Sequence, residues 1–275
     1  MSQTNKIDVI IPCYNAAATL ARALESVLVQ DYLGRIIIVD DASSDASVAI
    51  AQSYQARFPQ HIVIEKLPQN SGVARARNWG MLVSQADVVA FLDADDAYER
   101  HVLGFASAVM QFRPEIPMLR LGLKPVDLDE KYAQHPNFSY GWRHVEMTVG
   151  GNMIFRRAFL LACGGFPQDQ LFRRLGGEDV ALGLAVLQVT QMGVAFDNVG
   201  LNDITVLHYC RPNMHAYRLL DTVLFAQSQN HITQADHDAA QNVTDNIVSR
   251  LQNLQTWLSV QPKGKIPLQV ETAPQ

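Results

Sequence analysis

Hydrophobic and polar positions along the first hundred residues follow two alternating periods. Runs rich in β-branched residues at 7–11, 35–39, 62–64 and 88–92 read as strands. Between them the spacing is helical. Residues 16–30 place Leu20, Leu24, Val27 and Leu28 on one face. Ser43, Ser44 and Asp45 start a second helix that runs to 58, and residues 73–84 form a third. Pro12 is expected to end the first strand, because proline donates nothing to a ladder. This βα alternation predicts an α/β fold with a mostly parallel sheet and right-handed crossovers.

Beyond Asp96 the pattern loosens. A helix is expected over 97–112, followed by strand-like pieces within 118–123 punctuated by Pro114, Pro117 and Pro125. Residues 127–149 read as irregular and aromatic, a length of loop that usually carries function. A short strand at 152–155, a helix at 156–163 ended by Gly164-Gly165, and a helix from Gly176-Gly177 to 190 come next. Residues 194–196 and 204–207 look like edge strands. Helices are then expected over 216–227 and 236–260. Val243, Ile247, Leu251, Leu254 and Leu258 form an apolar stripe that packs either on the domain or on a second subunit. Residues 261–275 read as a loose, proline-bearing tail.

Composition narrows the class. The chain has 275 residues, 48% of them hydrophobic, enough for one large domain with an appendage. A net charge of −5 argues against a nucleic-acid binder. Three widely separated cysteines match no zinc spacing and point to a reducing, cytoplasmic setting. No apolar run is long enough to span a bilayer, which leaves peripheral membrane contact open.

The stretch with the most chemistry is Val88-Val89-Ala90-Phe91-Leu92-Asp93-Ala94-Asp95-Asp96, a buried-type strand ending in three carboxylates. At the C-terminal rim of a parallel sheet such carboxylates meet ligands. Asp93-x-Asp95 suits a divalent cation that also grips phosphate oxygens. Taken alone, the same residues would serve equally as a solvated cap for the next helix.

Several segments in order resemble one family. They are Ile10-Ile11-Pro12-Cys13-Tyr14-Asn15, Ile38-Val39-Asp40-Asp41, Asn70-Ser71-Gly72 through Arg77-Asn78, Phe91 to Asp96, Gly150-Gly151-Asn152, Gly164-Gly165-Phe166 and Gly177-Glu178-Asp179. Together they resemble the inverting nucleotide-sugar glycosyltransferases of family 2. The resemblance implies a GT-A fold: a Rossmann-like, mostly parallel central sheet flanked by helices, with a small acceptor-side sheet. It implies a catalytic domain over 1–212, with a nucleotide-binding half at 7–96 and an acceptor-binding half at 97–212. A C-terminal helical extension would follow at 213–260.

The resemblance also implies roles. Pro12, Tyr14, Asn15, Asp41, Arg77, Asp93 and Ala94 would bind the nucleotide sugar. Tyr14 would flank the base, and Asp41 would accept a uracil N–H. Their structural alternatives are a buried tyrosine and an Asx cap. Arg77, or Arg75 in its stead, would reach a phosphate or the base edge, while Asn78 braces its loop. Asp95 and His208 would hold Mn²⁺ or Mg²⁺, with His215 a weaker candidate and a hydrogen-bonded His208 the plain alternative. Asp96 reads as a cap for the next helix, with a share in the metal site as the alternative. Asp179 would be the catalytic base, with Glu178 as substitute or as N-cap. Trp142, Gly151 and Glu178 are candidates for the acceptor side, Trp142 being equally readable as a core anchor.

Processive members carry Gln-x-x-Arg-Trp after this helix. Here Gln188-Val189-Thr190-Gln191 runs into Met192-Gly193, so transfer of a single sugar is expected. The expected reaction moves one sugar from a nucleoside-diphosphate sugar, UDP-linked by preference, to an acceptor hydroxyl of a carbohydrate or another compound. The rivals are a non-catalytic sugar-nucleotide-binding relative and a nucleotidyltransferase. The latter calls for a Gly- and Lys/Arg-bearing loop that residues 12–18 lack. Homodimerisation through the C-terminal helices is a further expectation.

Overall fold

The computed structural model describes residues 6–196, 203–227, 232–254 and 264–267. Four parallel strands come first: β1 (Ile7–Cys13), β2 (Leu33–Asp40), β3 (Ile62–Lys66) and β4 (Val88–Phe91). They are linked by α1 (Leu20–Leu28), α2 (Ser47–Arg57) and α3 (Val73–Val83). Every residue of β1 and β4 is buried, as expected of strands covered on both faces. Alternate residues feed two cores. Ile7, Val9 and Ile11 join Leu20, Leu24 and Val27 on one face, while Ile10 joins Ile37, Val39 and Phe91 on the other.

Pro12 does not end β1; it pairs with Val39 inside it. The ladder survives because Cys13 bonds toward β2 and Ile10 toward the β4 side. Pro12 therefore presents its missing N–H to the β4 side, beyond Ile10, where that pairing has already stopped.

After β4 come a two-residue strand β5 (Ala97–Tyr98), helix α4 (Val102–Phe112), β6 (Met118–Arg120) and β7 (Leu123–Val126). The stretch 127–149 is not irregular. It folds into α5 (Glu130–Ala133) and α6 (Phe138–Glu146). Next are β8 (Met153–Arg156), α7 (Arg157–Cys163), α8 (Gln170–Leu175), α9 (Glu178–Val189), β9 (Gln191–Val194) and β10 (Val206–Tyr209). The chain continues through α10 (His215–Phe225), α11 (Gln234–Asn253) and β11 (Gly264–Pro267).

The main sheet has the order β11-β9-β6-β8-β4-β1-β2-β3, with β8 antiparallel to both its neighbours. A small second sheet has the order β5-β10-β7. Neither expected edge strand is one: β9 lies between β6 and β11, and β10 is the middle strand of the small sheet. Gly264–Pro267, within the segment read as a tail, pairs in parallel with β9. Of the two seats open to the α11 stripe, the structure shows the intramolecular one. Ile247, Val248 and Leu251 are buried in the core that also holds Leu182 and Val186 of α9. Leu258 falls outside the described residues.

Candidate active site

The C-terminal ends of β1 and β4 open into a cleft of about 1080 Å³. Pro12 lines it from the end of β1, Tyr14 and Asn15 from the loop that follows, and Asp93, Ala94 and Asp95 from the loop after β4. Tyr14 is 52% exposed, so it is not the buried tyrosine of the alternative reading. Asn15, at φ 51°, ties two loops together: its N–H donates to Ser43 Oγ (2.9 Å) and its Oδ1 accepts from the Ser44 N–H (2.8 Å). Asn tolerates that left-handed backbone better than most residues.

Asp41 is placed differently from the expectation. Its carboxylate accepts the backbone N–H groups of Ser71 (2.7 Å) and Gly72 (2.8 Å), and it is buried outside the cleft lining. The carboxylate thus braces the loop that leads into α3, with a further acceptor site open on each oxygen. Asn78 braces as expected, by a two-way pair with the backbone of Phe166 (2.8 Å each).

Arg77 lines the cleft, and the protein's own acids engage it. Its guanidinium is buried and donates to Asp93 Oδ1 (2.8 Å) and to Glu178 Oε1 (3.0 Å). Burial alone would favour the neutral form. Asp93, Glu178 and Asp179 outweigh it and hold the group charged. Instead of reaching out for a phosphate, the fork joins a β4-loop carboxylate to the start of α9. Gly150 and Gly151 make room for this: an added Cβ would stand 2.4 Å from the Arg77 guanidinium at 150 and 2.8 Å from Asp93 Oδ2 at 151. Gly151 is thus a buried spacer behind Asp93 and not a lining residue of the acceptor side.

Asp95 and His208 do share the cleft. Asp95 Oδ2 is held by the exposed Arg211 at 2.5 Å, and its backbone carbonyl accepts from Arg22. Arg22 in turn lies 3.4 Å from the ring centre of Tyr209. Burial and Asp93 raise the Asp95 pKa, while Arg211 and His208 oppose them. Asp96 does not cap α4. It is fully buried and binds His208 Nδ1 (2.7 Å) and the Tyr209 N–H (3.1 Å), since β5 intervenes before the helix. Burial pushes its pKa up to about 6, against the pull of His208. His208 Nε2 is buried with no hydrogen-bond partner among the described residues. Against the effect of burial, the hydrogen bond to Asp96 and the charges of Asp93 and Asp95 raise the His208 pKa. In the neutral ring with its proton on Nδ1, the Nε2 lone pair is the one a metal would take. Among the described residues no three His, Cys, Asp or Glu side chains form a complete metal cage. Asp95 and His208 therefore suit a cation whose remaining ligands come from substrate phosphates and water.

Glu178 and Asp179 open α9 and line the same cleft, after Gly176 and Gly177, both at positive φ. Asp179 is buried, and its Oδ1 accepts the Val180 N–H (2.8 Å). Burial, then the neighbouring Glu178 charge, raise its pKa well above the ordinary carboxylate value, with Arg77 and Arg120 pulling the other way.

Trp142 leaves the acceptor list. Its indole N–H donates to the Leu123 carbonyl (2.7 Å), and its ring packs in the core beside Phe138, 6.1 Å from His208. Arg120, Arg22 and Arg211 were not singled out from the sequence. Arg120 is fully buried and donates to the carbonyls of Glu146, Val149 and Asp179 and to Asn152 Oδ1. Lying in the apolar run 118–123, Arg120 itself was the available signal, because an arginine in a buried strand needs a dedicated polar socket.

A mostly parallel sheet thus brings carboxylates at its rim, His208 and the buried Asp179 around one cleft. The sequence model of glycosyl transferase family 2 matches residues 8–161, and the chain belongs to that family. Among curated relatives, the uncharacterized glycosyltransferase YibD of Escherichia coli K12 is 41% identical over 97 residues, covering 35% of this chain and 28% of its own. The uncharacterized glycosyltransferase alr2836 of Nostoc is 34% identical over 156 residues, 54% of this chain and 48% of its own. The chain thus spans less than half the length of either relative. The crystal structure of Staphylococcus aureus TarS 1-349 in complex with UDP has a TM-score of 0.58 at 21% identity, over 92% of this chain and 72% of that one. The mannosyltransferase PcManGT of Pyrobaculum calidifontis, in complex with GDP-Man and Mn²⁺, has a TM-score of 0.59 at 17% identity, over 92% and 75%.

Proposed function

We propose that the chain moves one sugar from a nucleoside-diphosphate sugar to an acceptor hydroxyl by a single inverting displacement. The observation that carries this is the shared cleft: Asp179 and the Asp93-Ala94-Asp95 stretch line one hollow, and Arg77 ties Asp93 to Glu178, the neighbour of Asp179. TarS complexes with UDP and with UDP-GlcNAc favour a uridine donor, and the GDP-Man and Mn²⁺ complex of PcManGT favours a divalent ion.

Tyr14, exposed in the cleft, flanks the base, and Pro12 and Asn15 shape its seat. Asp95 and His208 Nε2 would hold Mn²⁺ or Mg²⁺, which when bound offsets charge on the leaving diphosphate. Arg77 holds Asp93 in place without touching the donor. Asp179 accepts the proton of the acceptor hydroxyl as that oxygen attacks the anomeric carbon, and Arg120, at its backbone, keeps α9 fixed. A carboxylate of raised pKa is a better proton acceptor than an ordinary one. The intact Asp95 and Asp179 favour a catalyst over a non-catalytic relative.

The test incubates the protein with a panel of UDP-, dTDP- and GDP-sugars and Mn²⁺, and follows nucleoside diphosphate release with candidate acceptors. Asp179→Asn is expected to keep UDP affinity and lose about 10²–10⁴ in turnover. Unchanged turnover removes the base from Asp179.

A further inference from the structure

A second cavity, of about 440 Å³, lies against the cleft. Its walls come from α8, α9, α10 and α11, and they are mostly apolar: Leu171, Val180, Leu184, Leu219 and Ala240 among them. The two hollows share Gly176 and Gly177, the residues immediately before Glu178 and Asp179. Apart from Thr148, every lining residue lies at or beyond position 171, outside the part of the chain that matches the family. The family's sequence model therefore describes the strand tips and almost nothing of this cavity.

We propose that the cavity receives the apolar portion of the acceptor, an alkyl or aryl group attached to the sugar or alcohol whose hydroxyl reacts. This rests on the reading of Asp179 as the base. The acceptor hydroxyl has to reach Asp179 from the side not taken by the donor. Gly176 and Gly177, whose bare backbones separate the base from the cavity, bring the rest of that molecule to the apolar walls. The volume is in the range of small-molecule sites, and such sites are mainly apolar with few polar groups. A wholly polar oligosaccharide would find partners in the polar side chains of the lining, such as His215, Arg218 and Asp236, but would leave other hydroxyls unpaired against Leu171, Val180 and Leu184.

The probes are methyl, butyl, hexyl and octyl β-glucosides, each below its micelle concentration, titrated calorimetrically into the full chain with UDP present. Affinity is expected to rise about two- to fourfold per added methylene, as apolar burial dictates, until the chain outgrows the cavity. Ala240→Trp fills the hollow and should abolish that dependence while UDP affinity stays unchanged. Leu184→Gln, at a half-exposed wall position, should flatten it several-fold and serves if the bulky variant does not fold. A flat series in the native protein overturns the proposal. So does a steep series that neither variant changes, which puts the alkyl group elsewhere. So does concentration-dependent dimerisation abolished by Ala240→Trp alongside a flat series, which gives the cavity to a second copy. Asp179→Asn is expected to leave the alkyl series as in the native protein, so a failed transfer assay and a failed alkyl series are separate results.

Discussion

At the scale of single residues, the cleft turns on where charge is left unpaired and where it is not. Arg77 satisfies two carboxylates while nearly out of water. Arg77→Ala strands Glu178 and Asp93 against each other with no counter-ion, and is expected to cost about 3–5 kcal/mol of stability, read by denaturant titration. Asp179 is the opposite case, an acid kept from ionising easily by burial and by Glu178. Its sign follows directly. As a base it works only without its proton, so turnover should fall as pH is lowered through a pKa well above the ordinary 3.8. A kcat profile whose acid limb sits at an unshifted carboxylate value contradicts this. The expectation for Asp41 shows the limit of reading residues singly. Its position at the end of β2 was legible, but its partners, Ser71 and Gly72, lie 30 and 31 residues away, and nothing local announces them.

At the scale of elements, the apolar runs that end in Asp or Asn were easy to read because a doubly covered parallel strand has no alternative use for such a run. Helix α6 was not. Phe138 to Glu146 holds Gly141, and its aromatics resemble a loop, yet Gly141 is needed there because Leu220 and Leu224 of α10 crowd its Cα. Strand β11 was hidden for a different reason: Gly-Lys-Ile-Pro has little strand character until β9 offers it a partner. Glu146, at the end of α6, accepts the Leu123 N–H of β7 (3.0 Å), and burial pushes its pKa up to about 7. The unfolded carboxyl loses its proton near 4.5, the folded one only near 7, so its contribution to stability declines as pH rises through that interval. Glu146→Gln keeps an oxygen for Leu123 and removes the titration. It is expected to be more stable than the native protein at pH 8, on the order of 2 kcal/mol, with the difference vanishing near pH 4. Thermal melts at a series of pH values decide it.

At the scale of the whole molecule, donor and cation are expected to support each other, because Asp95 and His208, as the proposed ligands, would supply only part of a coordination sphere. UDP with Mn²⁺ should raise the melting temperature more than the two separate shifts summed, with a combined stabilisation of about 2.7 kcal/mol at a hundredfold excess over the dissociation constant. Additive shifts would separate the cation from the diphosphate. Equal shifts with every nucleoside diphosphate would remove the uridine preference. The parallel sheet and its carboxylate tips were open to inspection in the chain itself. The apolar cavity was not, because it forms only where α8, α9, α10 and α11 meet.

The pairing of Asp96 with His208 has a consequence for how the protein is made. A ribosome must add 112 residues after the aspartate before its imidazole exists. Through that whole interval the nascent β1–β4 portion carries an acid destined for the interior without its histidine partner. Closure of the small sheet is thus a late event in biogenesis. A chain cut short before β10 would display every strand tip of the family while lacking the histidine that completes them.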